Sequence, residues 1–288
     1  MQTTNEFVQK RVLAVHDISC VGKCSLTVAL PIISAAGVEC SVLPTAVLST
    51  HTGGFTGFTF RDLTEDIRPI VEHWKSLNIH FDAIYTGYLG SFEQIELVAV
   101  LFKEMAAEGT TIVVDPVMGD NGKLYSAFDK TFPPAMKKLC GLADVILPNL
   151  TEATSMLGEE YKEGPYTKEY IEDIFKRLEE ATNTKKIVLT GVSLDKDKIG
   201  AATYDAEAGS IDYILGENIP GSYHGTGDVF GSAVIGALMN GKTLAESVRA
   251  AVDFTVESIR WTAKAKTDIR YGVNFEANLA GYIKSVGR

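Results

Sequence analysis

Short apolar, β-prone runs alternate along the chain with longer stretches whose apolar positions recur at helical spacing. Val12 to Val15 reads as a first strand, Leu26 to Ala36 as a helix ending at Gly37, and Cys40 to Leu43 as a second strand. Asp62 to Leu77 keeps a helical period, with Pro69 expected to bend it. Ala83 to Thr86 is strand-like, and Ser91 with Gln94 forms the cap of a helix running to Ala107. Thr111 to Val114, Val145 to Leu147 and Ile187 to Leu189 predict three more strands, each followed by a polar or glycine-containing turn. Between the last two, Tyr170 to Glu180 has the pattern of an amphipathic helix.

The section Gly200 to Ile214 departs from this alternation. Two β-type runs flank Ala206 to Gly209, which predicts an antiparallel hairpin at a sheet edge. Taken together, the pattern predicts an α/β fold: a mainly parallel sheet, helices on both faces and one antiparallel edge hairpin. No Pro-, Gly- or Ser-rich linker, repeat or low-complexity tract interrupts it, so residues 1–288 are expected to form one domain. In open sheets of this class, ligands sit beyond the carboxyl ends of the strands. The residues that should converge there are His16-Asp17, Ser49 to Gly54, Thr86-Gly87-Tyr88, Asp115 to Asp120, Asn149 to Glu152 and Thr190-Gly191.

The densest chemistry lies further on, at His224-Gly225-Thr226-Gly227-Asp228. Two glycines allow a tight bend and leave the amides uncovered. Val229 to Met239 continues at helical spacing, so free N–H groups and the positive end of a helix dipole should face one point and bind an anion. A carboxylate beside such a site repels phosphate unless it takes a proton from a hydroxyl that attacks that phosphate. Asp228 therefore points to a kinase acting on a small alcohol.

Two other motifs in this region lack their structural context. Gly236 to Thr243 fits the Walker A pattern letter for letter, but apolar helix precedes it where a strand is required. Asn240-Gly241 reads instead as a helix C-cap, and Thr243 to Glu246 as the capping box of the next helix. Gly225, Gly227 and Gly231 approach a dinucleotide fingerprint, with a spacing one residue too long and no leading strand of the usual type.

Composition narrows the partners. A formal net charge of −10 and a pI near 5.1 argue against nucleic acid or an anionic membrane. No run approaches the ~18 apolar residues of a membrane span, and Met1 to Arg11 is polar with no apolar stretch behind it. The expectation is a cytoplasmic protein. Cys20, Cys24, Cys40 and Cys140 lack disulfide-framework spacing and zinc-type partners, and read as free thiols.

Asp115-Pro116-Val117-Met118-Gly119-Asp120 sets two carboxylates across a tight turn after a strand, with Glu152 as a third acid after Pro148-Asn149. Magnesium binds few protein carboxylates and keeps several waters, so sparse acids near phosphates suit it. Asp120-Asn121-Gly122 is equally readable as a solvated turn. Tyr88, in Thr86 to Gly90, either stacks on a flat substrate or is an amphipathic plug at a strand end. His51-Thr52-Gly53-Gly54 is a small-residue loop suited to lining an acceptor pocket, and Tyr125 suits a flap that excludes water.

In these segments the chain resembles the pyridoxal kinases of the ribokinase superfamily over essentially its whole length. The shared residues are Val12 to Val15 leading to Gly22, Leu48 to Gly53, Thr86 to Gly90, Asp115 to Asp120, Ala143 to Asn149 with Glu152, and Gly225 to Asp228. The Thr86 and Asp115 segments together are specific to the vitamin B6 branch, whereas Gly225 to Asp228 marks only the superfamily. The resemblance implies ATP-dependent phosphorylation of the 5′-hydroxymethyl group of pyridoxal, pyridoxine or pyridoxamine. Asp228 would be the base, and the amides of Gly225, Thr226 and Gly227 the anion hole. Asp115, Asp120 and Glu152 would serve Mg²⁺ and the phosphates. Asn149, Thr190 and Tyr125 would lie along the nucleotide, and Asp17, His51, Thr52 and Tyr88 around the pyridine ring. Family members are commonly homodimers, and many use a monovalent cation such as K⁺.

One residue departs from the family pattern. Many relatives carry a small hydroxyl residue facing the pyridine nitrogen, and this chain has Asp17 there. A carboxylate opposite that nitrogen favours its protonated form, so Asp17 is expected to shift preference among the vitamers. The tryptophan that some relatives place after the His51 loop is also missing, with Gly57 near its place. Two further readings stand beside the vitamin B6 kinase: a hydroxymethylpyrimidine kinase of the same fold, and a non-catalytic module that binds pyridoxal phosphate. An intact Asp228 argues against the module.

Overall fold

Val12, Leu13, Ala14 and Val15 are all fully buried, on both faces of their strand. That burial follows from their place inside a sheet, because β1 (Arg11–Ser19) pairs in parallel with β2 (Glu39–Leu48) on one side and β4 (Ala83–Thr86) on the other. A central parallel strand meets helices above and below, so an unbroken apolar run suits it. The computed structural model describes residues 9–288; residues 1–8, most of the polar segment Met1 to Arg11, lie outside the described residues.

Among the described residues the sheet has nine strands, in the order β11-β10-β9-β8-β5-β4-β1-β2-β3. Its remaining members are β3 (Phe60–Asp62), β5 (Thr111–Val114), β8 (Val145–Ile146), β9 (Lys186–Asp195), β10 (Lys198–Asp205) and β11 (Ser210–Glu217). Strands β2, β1, β4, β5, β8 and β9 run parallel, while β10 and β11 extend one edge antiparallel and β3 the other. A separate two-stranded hairpin, β6 (Gly119–Asp120) with β7 (Lys123–Leu124), follows β5.

Alternation along β1 divides the core. Val12 and Ala14 face α1 (Leu26–Ala35), α7 (Thr226–Met239), α8 (Leu244–Ala265) and α9 (Leu279–Ser285). Leu13 and Val15 face α2 (Thr64–Ser76), α3 (Phe92–Met105), α4 (Phe132–Cys140), α5 (Leu150–Leu157) and α6 (Lys168–Thr182). Helices therefore cover both faces, as the alternating pattern predicts. Among the described residues, no helix is long and apolar enough to cross a membrane.

Several boundaries differ from the sequence expectation. Strand β1 runs four residues past Val15 through polar His16, Asp17 and Ser19, and β2 runs to Leu48 through Pro44. Hydrophobic patterning stops where polar site residues begin, although backbone pairing continues. Asp62 belongs to the edge strand β3, and the helix expected from it starts at Thr64. Helices α4 and α5 are absent from the periodic reading because each is short, 9 and 8 residues. The capping predictions hold: Ser91 Oγ accepts the Gln94 amide at 3.2 Å. Thr243 and Glu246 close a capping box, and Asn240 ends α7 with Gly241 at φ 76°.

Candidate active site

Helix α7 opens three residues earlier than its apolar pattern, at Thr226, with Gly225 as its N-cap. Gly225 has φ 74°, and a Cβ there would overlap the Lys23 carbonyl oxygen, so only glycine fits. The helix ladder begins with Val229 N–H donating to Gly225 O at 3.0 Å, which leaves the preceding amides free. Gly227 meets nothing within 4 Å of a hypothetical Cβ; its approach is open. A bare glycine cap, free amides and the helix dipole are the features that suit an anion.

Asp228 lies in the first turn of α7 with its side chain 13% exposed. Cys24 Sγ donates to Asp228 Oδ2 at 3.1 Å, and the Ser25 amide also donates to the carboxylate. Burial raises the Asp228 pKa, and these two donors oppose that rise. The loop that delivers them is held in an uncommon backbone conformation, with Ser25 at φ 55°. Asp17 steadies it: Ser25 Oγ donates to Asp17 at 2.6 Å and Ser19 Oγ at 3.0 Å. Asp17 is buried, its pKa raised by burial against those hydroxyl donors, and it senses both Asp228 and Tyr88. The sequence reading identified Asp17 and Asp228 but missed Cys24 and Ser25. Only their spacing from Asp17 could have signalled them.

A second group of acids gathers beyond β5 and β8. Asp115 is buried and its pKa is pushed well up by burial, by Glu152 and by Asp228. Glu152 closes a capping box with Asn149, and its two oxygens accept the amides of Asn149 at 2.8 Å and Met118 at 3.1 Å. Burial nevertheless lifts its pKa to about 8. Asp120 is exposed on the β6–β7 hairpin, where Asn121 and Gly122 both take positive φ, and it accepts from the Asn121 amide and side chain. The solvated-turn reading therefore describes the Asp120 backbone, while its charge still reaches Glu152 and Tyr125.

As placed, Asp115, Asp120 and Glu152 do not close into one direct ligand set. Among the described residues no three His, Cys, Asp or Glu side chains gather at ligand spacing. The cause is local: Glu152 is spent on amides and Asp120 is folded onto its own turn. Asp115 accepts no hydrogen bond at its carboxylate among the described residues, and its neighbouring charges are acids. An uncompensated oxygen donor set of this kind suits a hydrated hard cation arriving with phosphate.

Other predicted residues sort by what already holds them. Both amide ends of Asn149 are engaged, Oδ1 by the Glu152 amide and Nδ2 by Gly119 O at 2.8 Å, so it ties the start of α5 to the β6–β7 hairpin. Thr190 sits beside it, its amide donating to Pro148 O at 3.0 Å. Tyr125 is 42% exposed, its pKa raised by burial and by Glu152, Asp120, Asp228 and Asp115. Its phenol lies within electrostatic reach of those acids. Tyr88 is half-buried, 5.5 Å from the Phe128 ring. Thr52 is exposed on its loop.

His51 is a correction. It is buried, Nε2 donates to Arg270 O at 2.5 Å, and Nδ1 accepts the Gly53 amide at 3.0 Å. Neither nitrogen is free for a substrate; the imidazole ties its loop to the 270 segment. Lys23 N–H donates to Tyr271 O at 3.0 Å, so that segment also pins the Cys24 loop.

A glycine-capped helix start with a largely buried carboxylate, and a second group of acids beyond β5 and β8, on a sheet of this topology, suit a small-molecule kinase. The family model for phosphomethylpyrimidine kinase matches residues 30–273. The chain belongs to this family, the pyridoxal kinase family of the ribokinase superfamily. Among solved structures, a Bacteroides thetaiotaomicron protein provisionally named a phosphomethylpyrimidine kinase is 38% identical. It superposes with a TM-score of 0.91, covering 98% of this chain and 96% of that one. Its orthorhombic form, with pyridoxal, is similar at 39% identity and a TM-score of 0.90, covering 96% of each chain. Pyridoxal kinase from Lactobacillus plantarum is 34% identical, with a TM-score of 0.87 and coverage of 96% and 98%. The pyridoxine kinase of Bacillus subtilis is 31% identical over 185 residues, 63% of this chain. That alignment spans 65% of the relative, just under two thirds of its length.

Proposed function

We propose that this chain transfers the γ-phosphoryl group of ATP to the 5′-hydroxymethyl oxygen of pyridoxal, pyridoxine or pyridoxamine. The observation that carries this reading is the placement of Asp228: a buried carboxylate in the first helical turn, beside free amides and held by a thiol and an amide. In the reaction, Asp228 takes the hydroxyl proton while that oxygen bonds to the γ-phosphorus. The bond to the bridging oxygen breaks and ADP leaves, with the Gly225, Thr226 and Gly227 amides holding the migrating group. Asp17 and Tyr88 address the ring, with Thr52 at the rim and His51 holding that loop. Thr190, Tyr125 and the Asn149 turn flank the nucleotide.

Asp115, with Asp120 and Glu152 around it, would hold Mg²⁺ largely through water. Bound there, magnesium would screen phosphate charge. A monovalent cation such as K⁺ and a homodimer belong to the same reading, testable by ion replacement and by light scattering. Pyridoxal in the Bacteroides relative supports the acceptor class, and the 25%-identical Staphylococcus aureus pyridoxal kinase in complex with ADP supports the donor.

A second reading, hydroxymethylpyrimidine kinase, is favoured by the description of the matched family model. An assay coupling ADP release to each of the three vitamers and to hydroxymethylpyrimidine separates the two. Turnover with a vitamer at higher kcat/KM is expected. Turnover with the pyrimidine alone would establish the second reading, and none with any alcohol would sink both.

A further inference from the structure

Close to Asp228 lies a buried polar residue that the phosphoryl-transfer reading leaves without a task. His16 is 0% exposed, yet neither of its ring nitrogens has a hydrogen-bond partner among the described residues. A buried polar group in that state is unfavourable, so its retention asks for a reason. The strand explains its direction. Val12 and Ala14 face α7, and His16 follows at the same period, so its ring enters the space beneath the first turn of that helix.

Its surroundings fix its pose. The ring packs edge-on against Tyr85, with centroids 4.6 Å apart. Nδ1 points at the carboxylate of Asp228, 3.9 Å from Oδ1. Gly87 makes the room: a Cβ at that position would overlap Nδ1 itself. This accounts for a glycine in the Thr86 to Gly90 segment by packing against an imidazole. Desolvation holds the His16 pKa down at about 3, so the ring is neutral and carries one N–H. The other groups acting on Asp228 include the Cys24 thiol, the Ser25 amide, Asp17, Asp115, the Tyr85 phenol and, from the loop after β2, His51.

We infer that His16 is a positioning residue for Asp228. Its Nδ1–H closes onto Oδ1 when substrates settle the first turn of α7, so that the carboxylate is held from behind and presents its remaining lone pairs to the acceptor hydroxyl. This rests on the reading of Asp228 as the base. A separation of 3.9 Å is longer than a hydrogen bond, and catalytic contacts often tighten only in the substrate complex.

The test uses two side chains of nearly equal shape. Asn places an N–H close to where Nδ1 stands, and Leu fills the same space with no donor. His16→Leu is expected to lower kcat about 10-fold or more while KM for ATP and for the vitamer stays within about 3-fold, and His16→Asn to recover most of the loss, since a donor to a charged group is worth about 1.5–3 kcal/mol. Equal loss in Leu and Asn variants, or a loss confined to KM, would overturn the proposal and leave His16 as packing. Should His16→Leu fail to fold, Gly87→Ala keeps the histidine and displaces its Nδ1 edge, with the same kcat loss expected. Full activity in that variant would also overturn it. Asp228→Asn, run alongside, separates the two failures. An active Asp228→Asn variant sinks the base itself, whereas an inactive one beside an unaffected His16→Leu sinks only the role of His16.

Discussion

Asp228 and Glu152 occupy the same position in two helices, the third residue after the N-cap, and the helices use them in opposite ways. In α5 the cap is Asn149, whose side chain accepts the Glu152 amide while Glu152 reaches back to the Asn149 amide. Helix and acid satisfy each other, and little is left for a ligand. Glu246, at the same place in α8 behind Thr243, does likewise. In α7 the cap is Gly225, which has no side chain to accept anything. The amides stay free for an anion, and Asp228, without a box to close, turns sideways to Cys24 and Ser25. A single glycine at the cap thus separates a helix start that is complete in itself from one left open.

The sharpest way to break this contrast is to remove the charge at one end only. Asp228→Asn is expected to lower kcat by ~10²–10⁴, the range of positioned base catalysis, with affinity for ATP and vitamer near that of the unmodified enzyme. Steady-state kinetics with isothermal titration checks both parts. A parallel loss of binding and turnover would make Asp228 a structural acid like Glu152.

Glu152 gives the complementary experiment, in stability rather than rate. Its folded pKa of about 8 lies above the ordinary 4.5, because burial outweighs the two amides. The native state therefore holds a proton that the unfolded chain releases. The associated stability is present below about pH 4.5 and is lost as pH rises toward about 8. Thermal melts from pH 5 to 8.5 should show Tm falling, with a shallower slope in Glu152→Gln. Asp115, Asp17 and Asp228 are also raised by burial, so the slope should be reduced and not abolished. Identical slopes would mean that Glu152 is ionised throughout.

The contrast also shows what the chain makes legible. Elements with several apolar residues in period, such as β4, β5 and α7, stand out because their burial is what patterning records. The cap residues of α3 and α8 are equally plain, since local hydrogen bonds leave a local signature. Helices α4 and α5 are too short for a period to develop, and β3 is exposed at all three positions. At the site, Asp228 is readable from its glycines. Cys24 and Ser25 come to it from 204 and 203 positions away along the chain, and His51 is turned from substrate by a carbonyl 219 positions distant. Contacts of that range depend on topology, which periodicity does not encode.

A smaller effect is expected at Asp17, where the carboxylate both steadies the Ser25 loop and faces the proposed ring site. Asp17→Ser should change the relative kcat/KM among pyridoxal, pyridoxine and pyridoxamine by about 10-fold, equivalent to about 1.4 kcal/mol. Competition assays with paired vitamers measure that ratio directly. A uniform decrease for all three would assign Asp17 to loop support alone.

Cys24 should matter least, and its chemistry explains why. Burial, with Asp228 and Asp17 nearby, drives its thiol pKa well up, so sulfur remains protonated and donates to Asp228. A thiol is a weak donor, and losing one hydrogen bond costs about 1 kcal/mol, or roughly 5-fold in rate. Cys24→Ala is therefore expected to lower kcat by about that factor, and Cys24→Ser, whose hydroxyl also donates, to retain nearly full turnover. The same protonation makes Cys24 a poor nucleophile, because the thiolate is the reactive form. Iodoacetamide at neutral pH should label exposed Cys20 well before Cys24, as peptide mass mapping would show. Rapid labelling of Cys24 with loss of activity would mean a thiolate beside Asp228. The carboxylate would then face a negative neighbour in place of a donor, and the sideways hold that distinguishes it from Glu152 would be lost.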